Sequence, residues 1–97
     1  MAEPSAKFDD LTSDQQRFIV EWLSNNFIPT KSINKHSSAY GIKQPFSRLF
    51  FFVTQEQMTE AMIRAGFKAV EAPSGVFRFN ISERSPAFQA FRAHSAE

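Results

Sequence analysis

The chain has 97 residues, a formal net charge of +1 and 42% hydrophobic residues. This length predicts one domain. The absence of cysteine excludes disulfide bonds and thiolate metal sites. His36 and His94 are far apart in the sequence, and no typical ligand spacing connects them to acidic residues. We therefore expect neither a metal nor a cofactor.

Hydropathy and the first residues bear on the compartment. No run approaches the roughly 20 apolar residues that a membrane-spanning helix needs. Residues 1–7 lack the basic region and the apolar stretch of a secretory signal. Together with the lack of cysteine, this predicts a cytoplasmic protein that does not bind membranes.

Charge and aromatic residues are unevenly distributed. Residues 1–30 carry five acidic and two basic side chains, whereas residues 31–70 carry six basic and two acidic ones. A basic middle region is typical of a chain that turns one face towards an anion, although ordinary scatter of surface charge gives the same pattern. The twelve phenylalanines predict an aromatic core, with an aromatic surface that stacks bases or grips a protein as the alternative.

Residues 1–10 are small and polar and include Pro4, which predicts a flexible tail. A first helix then begins near Thr12 or Ser13, either of which can cap it. The helix should end by Phe27, because Ile28 precedes a proline and is disfavoured in the helical region. Its apolar stripe comprises Phe18, Ile19, Trp22, Leu23 and Phe27.

A second helix is predicted from residue 37 to about residue 49, with His36 or Ser37 as its cap. Gly41 weakens it and Pro45 can kink it, so we expect a short or bent helix. The apolar run Leu49–Val53 predicts a short buried strand.

The third helix carries the clearest local signals. Thr54 and Gln57 have the spacing of a capping box, and Gly66 suits the left-handed position after the last turn. These residues predict a helix over residues 55–65. Its narrow inward face comprises Met58, Ala61, Met62 and Ala65.

A hairpin and a last helix complete the chain. Residues 67–71 and 76–81 predict two strands joined by a turn at residues 73–75. In the second strand, Phe77, Phe79 and Ile81 should face the core, and Val76, Arg78 and Asn80 should face away from it. Ser85-Pro86 begins a short helix at residues 87–93 that returns Phe88 and Phe91 to the core. Residues 94–97 should fray.

This order of elements is that of a winged helix-turn-helix. The predicted fold is therefore α+β: an N-terminal helix and a helix-turn-helix core with a small antiparallel sheet, in one winged-helix-like domain over residues 11–93. No catalytic pattern accompanies it: there is no Gly-rich phosphate loop, no paired carboxylates and no nucleophile–base arrangement. Asp9 and Asp10 are interpreted as acidic residues that interact favourably with a helix dipole. His36 is interpreted as a solvated loop residue. We expect a non-enzymatic binding protein.

The first functional hypothesis is a DNA-binding regulator. The helix that follows Thr54 would occupy the recognition position, with Gln reading adenine and Thr touching a phosphate or a thymine methyl. Lys43, Lys68 and Arg48 would neutralise phosphates. Arg78 would form the contact of the wing with DNA. Glu56, Glu60 and the short wing oppose this hypothesis. The candidate binding residues are Lys43, Arg48, Thr54, Gln55, Gln57, Thr59, Lys68 and Arg78.

The alternative is a protein-binding module. The same basic face, with Tyr40, Phe50 and Phe51 beside it, could dock an acidic protein groove, since arginine and aromatic residues anchor many interfaces. A host nucleic-acid-handling protein complex is one such target. The sequence also leaves open that two copies of the chain form a homodimer.

Several short pieces of residues 29–82 resemble small phage and prophage proteins. The matching pieces are Pro29-Thr30-Lys31-Ser32-Ile33-Asn34, Ser38-Ala39-Tyr40-Gly41-Ile42-Lys43, Phe52-Val53-Thr54, Ala61-Met62, Ala65-Gly66-Phe67 and Phe79-Asn80-Ile81-Ser82. Gln44-Pro45-Phe46 departs from the regular helix expected there. The resemblance implies a mobile-element origin and a bacterial host cytoplasm, and it brings no catalytic residues. Phage proteins of this size commonly regulate transcription or inhibit host defences, including CRISPR systems.

Overall fold

The computed structural model describes residues 6–95, except for the side chains of residues 94 and 95. Its elements are a 3₁₀ turn Phe8–Asp10, α1 Ser13–Asn26, α2 Ala39–Leu49, α3 Gln55–Arg64, β1 Ala69–Glu71, β2 Phe77–Phe79 and α4 Pro86–Ser95. Over these residues, four α-helices accompany a two-stranded antiparallel sheet. The predicted α+β class is confirmed.

Helix α1 begins and ends as the sequence predicts. The hydroxyl of Thr12 accepts the backbone N–H of Gln15 at 3.1 Å, and the Gln15 side chain accepts the Thr12 N–H at 3.0 Å. This capping box satisfies donors that the helix leaves unpaired at its start. Of the predicted apolar stripe, Ile19 and Leu23 are buried, whereas Phe18 is 39% exposed. The stripe therefore runs from the core to its edge.

Helix α2 starts later than predicted. Ser38, rather than His36 or Ser37, caps it by accepting the Gly41 N–H at 3.2 Å. Pro45 lies inside the helix and donates no backbone bond, yet the helix continues to Leu49.

The predicted strand over Leu49–Val53 is wrong. Leu49 belongs to α2, and the N–H of Phe50 donates to the Phe46 carbonyl at 3.0 Å. The N–H of Val53 donates to the Ser47 hydroxyl at 3.1 Å. These two bonds connect both ends of the segment to α2, and no strand forms between α2 and α3. Val53 is fully buried, but Phe52 is 57% exposed. A short apolar run without alternation does not distinguish a buried strand from a segment that continues from the end of a helix.

Helix α3 is confirmed and lies at the centre of the fold. It packs against α1, α2, β1 and the 3₁₀ turn. After its last turn, Gly66 adopts a φ of 100° and donates to the Ile63 carbonyl at 3.0 Å. The N–H of Phe67 donates to the Met62 carbonyl at 3.0 Å, which completes a Schellman motif. Met58, Ala61 and Met62 are fully buried.

The hairpin is real but its strands are short. Ala69 pairs with Phe79 and Glu71 with Phe77, around a turn in which Gly75 has a φ of 92°. The predicted core face of the second strand is confirmed, because Phe79 and Ile81 are buried. Ile81 bridges to Pro29 instead of β1, and Arg78 bridges to Ser38. Strand β2 therefore lies between β1 and the connector that joins α1 to α2.

Helix α4 runs two residues further than predicted, and residues 96 and 97 lie outside the described part. Ala87 and Phe91 return to the core. The buried Ser85 hydroxyl accepts the Ile28 N–H at 2.8 Å and donates to the Ser82 carbonyl at 2.6 Å. The residue before α4 thus ties the last helix to the end of α1.

The flexible tail predicted for residues 1–10 is wrong for residues 6–10, and residues 1–5 lie outside the described residues. Phe8 is buried in the core. The carbonyl of Ala6 accepts from the Thr54 hydroxyl at 3.1 Å, and the carbonyl of Lys7 accepts from the Gln57 amide at 3.0 Å. The segment covers the first turn of α3.

Aromatic rings form much of the core, as the phenylalanine content predicts. Trp22 lies 5.6 Å from Phe46 and 5.7 Å from Phe91, between ring centres. Phe27 lies 5.3 Å from Phe88. These contacts join α1, α2 and α4. Within residues 6–95, no helix is long and apolar enough to cross a membrane.

Candidate functional site

The eight candidate residues do not form one surface. Thr54 and Gln57 are only 2% and 5% exposed. Their side chains are used in the capping box of α3 and in the bonds to Ala6 and Lys7. The prediction that both face a DNA groove is therefore wrong. The physical reason is that residues 6–10 fold over the helix start that a recognition helix would expose.

Lys43 is also buried, with 5% of its surface exposed. Its ammonium lies 5.0 Å from the ring centre of Phe52 and 5.5 Å from that of Tyr40. Attraction to the two ring faces holds the charge there. Lys43 is thus not an exposed phosphate contact. Arg48 is exposed in the last turn of α2, where a cation also complements the helix dipole.

Gln55 and Thr59 are half-buried and line a groove of about 620 Å³ between the 3₁₀ turn, α3 and the hairpin. The Thr59 hydroxyl donates to the Gln55 carbonyl at 2.8 Å. The charged side chains at this groove are Lys7, Asp9, Glu56, Glu60 and Arg64.

The groove beside α3 is poorly suited to phosphate. Arg64 is held by Glu60 at 3.0 Å and by Asp9 at 3.7 Å, and its guanidinium lies 4.4 Å from the Phe8 ring centre. Three carboxylates face two cations, so the groove repels an anion near the proposed recognition helix. This finding argues against DNA reading by α3.

Arg78 and Lys68 lie at the sheet but in different environments. Arg78 is half-buried in β2, between Val70 on β1 and Ser38, and not on a free wing. Lys68 is exposed just before β1. Its N–H donates to the Asn80 side chain at 2.7 Å.

The structure instead assembles basic residues around the connector between α1 and α2. We call this the basic loop face; its members are Lys31, Lys35, Lys68 and Arg84, all exposed. Asn80 joins the segments, because its side chain accepts from Lys68 and donates to the Thr30 carbonyl at 3.0 Å. The N–H of Thr30 returns a bond to the Asn80 carbonyl at 2.9 Å.

Asn34 fixes the other half of this face. Its N–H donates to the Phe79 carbonyl at 2.8 Å, and its amide donates to the Ile81 carbonyl at 3.1 Å. Its side-chain oxygen accepts the His36 N–H at 2.8 Å, which positions Lys35 between two anchored residues. A groove of about 520 Å³ results, and Lys35 and Arg84 are among its lining residues.

One carboxylate, Glu83, also lines this groove, and it lies 3.7 Å from the His36 ring. Lys31 and Lys35 belong to the basic middle region of the sequence, but neither is among the eight candidates. Arg84 lies outside that region, and no pattern in the sequence indicated it as a binding residue. The charge of the basic middle region was the sequence signal that included Lys31, Lys35 and Lys68.

Four aromatic side chains of the described residues are exposed. Phe18, Tyr40, Phe50 and Phe52 are 39%, 48%, 41% and 57% exposed. Phe18 and Phe50 touch with ring centres 4.9 Å apart, and Lys43 lies between Tyr40 and Phe52. Tyr40, Phe50 and Phe51 were all predicted at a protein-binding face. Tyr40 and Phe50 are exposed, whereas Phe51 is half-buried, with its ring centre 6.1 Å from that of Phe18.

Within residues 6–95, no group of three His, Cys, Asp or Glu side chains is placed to hold a metal ion. In the same range, every buried side-chain nitrogen or oxygen has a hydrogen-bond partner. No protein-family model matches the chain, and no curated protein or solved structure matches it significantly. The mobile-element origin and the bacterial cytoplasm therefore stay predictions.

Proposed function

We propose that this chain is a non-catalytic DNA-binding protein that holds the phosphate backbone through its basic loop face. The observation that carries the proposal is the assembly of four exposed cations, from three separate parts of the chain, around Asn80 and Asn34. A cluster of cations on one face neutralises phosphates and releases counterions, which drives binding to DNA.

The order of elements supports a winged-helix regulator as the finer form of this proposal. In that form α2 and α3 are the helix-turn-helix pair and the β1–β2 hairpin is the wing. The buried first turn of α3 moves the DNA contact away from the usual recognition position. Binding through the basic loop face then depends on backbone phosphates, which position a protein but carry no sequence information themselves.

Salt dependence tests the proposal. Four phosphate contacts predict a slope of about −3.5 for log K against log salt. We would measure the binding of a fluorescently labelled DNA duplex by anisotropy at several salt concentrations. Lys35→Gln and Arg84→Gln should each weaken binding to all duplex sequences and reduce the slope by about 1.

Two matched variants serve as controls. Lys7→Gln removes the same charge from an exposed site beside the acidic groove and should leave the slope unchanged. Arg48→Gln removes a contact predicted from the sequence, at the far end of α2 and about 15 Å along the helix from Ser38. A loss for Arg48→Gln with no loss for Lys35→Gln would move the site to α2. No salt-dependent binding by the parent chain would overturn the proposal.

The second candidate is an inhibitor of a host defence system, of the anti-CRISPR type, that binds a host nucleic-acid-handling protein complex directly. The exposed rings of Tyr40 and Phe50 favour it, because aromatic residues are enriched at protein interfaces. Affinity capture from nuclease-treated host lysate tests it. A stoichiometric complex that Phe50→Ser abolishes and Lys35→Gln leaves intact would support this function over DNA binding.

A further inference from the structure

We propose that the groove lined by Lys35 and Arg84 is a pH-sensitive anion site, in which His36 becomes a third cation when it is protonated. The proposal rests on the proposed function, because it concerns the regulation of the basic loop face. Two pairs of neighbouring charged or titratable residues line this groove. Lys35 and His36 lie on the connector between α1 and α2, and Glu83 and Arg84 lie just before α4.

Hydrogen bonds hold the two pairs at the groove. The Asn34 side chain accepts the His36 N–H at 2.8 Å and donates to the Ile81 carbonyl at 3.1 Å. On the other segment, the Ser82 hydroxyl accepts the Arg84 N–H at 3.1 Å. These bonds involve backbone and uncharged side-chain atoms only. The groove therefore keeps its shape whether or not the imidazole carries a proton.

The net charge of this groove depends on one proton. With a neutral imidazole, the two cations Lys35 and Arg84 are opposed by the carboxylate of Glu83. Protonation of His36 adds a third cation to the same lining. Its Nε2 lies 3.7 Å from the Glu83 carboxylate, so the new charge also offsets the one group in the lining that repels an anion. Both effects favour a bound phosphate.

Both members of this pair are open to a ligand and to protons, since the side chains of His36 and Glu83 are 81% and 65% exposed. Histidine ordinarily gains its charge between about pH 8 and pH 5, whereas carboxylate, ammonium and guanidinium groups ordinarily keep theirs over that interval. The phosphate backbone of DNA also stays charged. Because the protonated groove binds phosphate better, binding takes up a proton. The affinity for DNA should therefore rise as the pH falls.

Duplex binding measured by anisotropy at about pH 7.5 and about pH 5.5 tests the proposal. One further phosphate contact steepens the slope of log K against log salt by about 0.9, which corresponds to a rise of up to about eightfold in affinity at about 0.1 M salt. His36→Gln keeps the backbone N–H that Asn34 accepts and removes the titrating group, so this variant should bind equally at both pH values. His94→Gln removes the chain's other imidazole and should keep the rise.

The carboxylate of the pair gives a second test. Glu83→Gln removes the charge that opposes the anion, so the affinity at about pH 7.5 should increase for all duplex sequences. Glu56→Gln removes the same charge from the groove beside α3 and should increase the affinity less. A Glu83→Gln chain that binds no better than the parent chain would contradict the proposed role of this carboxylate.

Sulfate separates this proposal from DNA binding, because it is a small anion that keeps its charge over the same interval. The NMR signals of the Lys35 and Arg84 amides should shift more with sulfate at the lower pH in the parent chain, and equally at both pH values in His36→Gln. A parent chain that responds to sulfate in this way but binds no duplex would contradict the proposed function alone. The pH-sensitive site would be overturned by a full rise in His36→Gln, by a rise lost in His94→Gln, or by groove signals that sulfate does not shift at either pH.

Discussion

Thr54 shows how far a single residue can be interpreted from its neighbours in sequence. The spacing of Thr54 and Gln57 predicts the capping box, and the box is present. The same pattern occurs at Thr12 and Gln15, which are not buried. What the local pattern could not show is that residues 6–10 return over α3 and bury one box but not the other. The hydrogen bond from Thr54 to Ala6 joins residues that are 48 positions apart in the sequence.

Removing the two caps should therefore have unequal effects on stability. Thr54→Ala removes a cap and the bond to Ala6, so we expect a loss of about 2 kcal/mol in the free energy of unfolding, at the upper end for caps. Thr12→Ala removes an exposed cap alone and should cost about 1 kcal/mol or less. Urea denaturation measures both. Thr54→Ser keeps the hydroxyl and should retain most of the stability; equal losses for Thr54→Ala and Thr12→Ala would contradict the proposed role of the N-terminal segment.

At the scale of elements, the sequence predicts helices better than strands. Caps and apolar periodicity located α1 and α3 to within a residue, because the bonds that define them are local. The apolar run at Leu49–Val53 failed as a strand because α2 extends to Leu49 and accepts the backbone N–H groups of Phe50 and Val53, which no periodicity reveals. The hairpin was predicted correctly, but its strands were too long, because Ile81 pairs with Pro29 across a long stretch of sequence.

Two glycines have different roles. Gly66 is required by its backbone conformation, whereas Gly41 only weakens helix α2. Gly66 has a φ of 100°, and a Cβ added there would meet no atom within 4 Å, so alanine at this position suffers backbone strain alone. We expect Gly66→Ala to cost about 1–2 kcal/mol. At Gly41 in α2, an added Cβ would have the Ser38 hydroxyl as its nearest neighbour at 3.7 Å, so Gly41→Ala should stabilise by about 0.5–1 kcal/mol. Thermal and urea unfolding of both variants measure the signs. A stabilising Gly66→Ala would rule out the Schellman end of α3.

At the scale of the whole molecule, the surfaces depend on long-range assembly. The charge count indicated a basic middle region, but it placed Lys43 on the binding face and omitted Arg84. The basic loop face forms because Asn80 and Asn34 bond the connector to the strand β2 and its continuation. Those bonds bring together the backbone segments that carry residues 31, 35, 68 and 84. A contiguous charge count cannot describe such a face.

The N-terminal segment offers a test of the whole fold. Deleting residues 1–10 removes the buried Phe8, whose burial contributes about 1.5–3 kcal/mol, and uncovers Thr54 and Gln57. We therefore expect the free energy of unfolding to fall by at least about 2 kcal/mol. Deleting residues 1–5 keeps every contact described for residues 6–10 and is the comparison variant for the longer deletion.

Trp22 is the chain's one tryptophan and packs where α1, α2 and α4 meet, so its fluorescence reports on tertiary structure. Circular dichroism reports on the helices. For a single cooperative domain both signals should change at the same urea concentration. They should shift together in the longer deletion, because α3 connects the N-terminal segment to the rest of the core. Separate transitions, or a deletion of residues 1–10 that leaves both midpoints unchanged, would show that this segment is not an integral part of the fold.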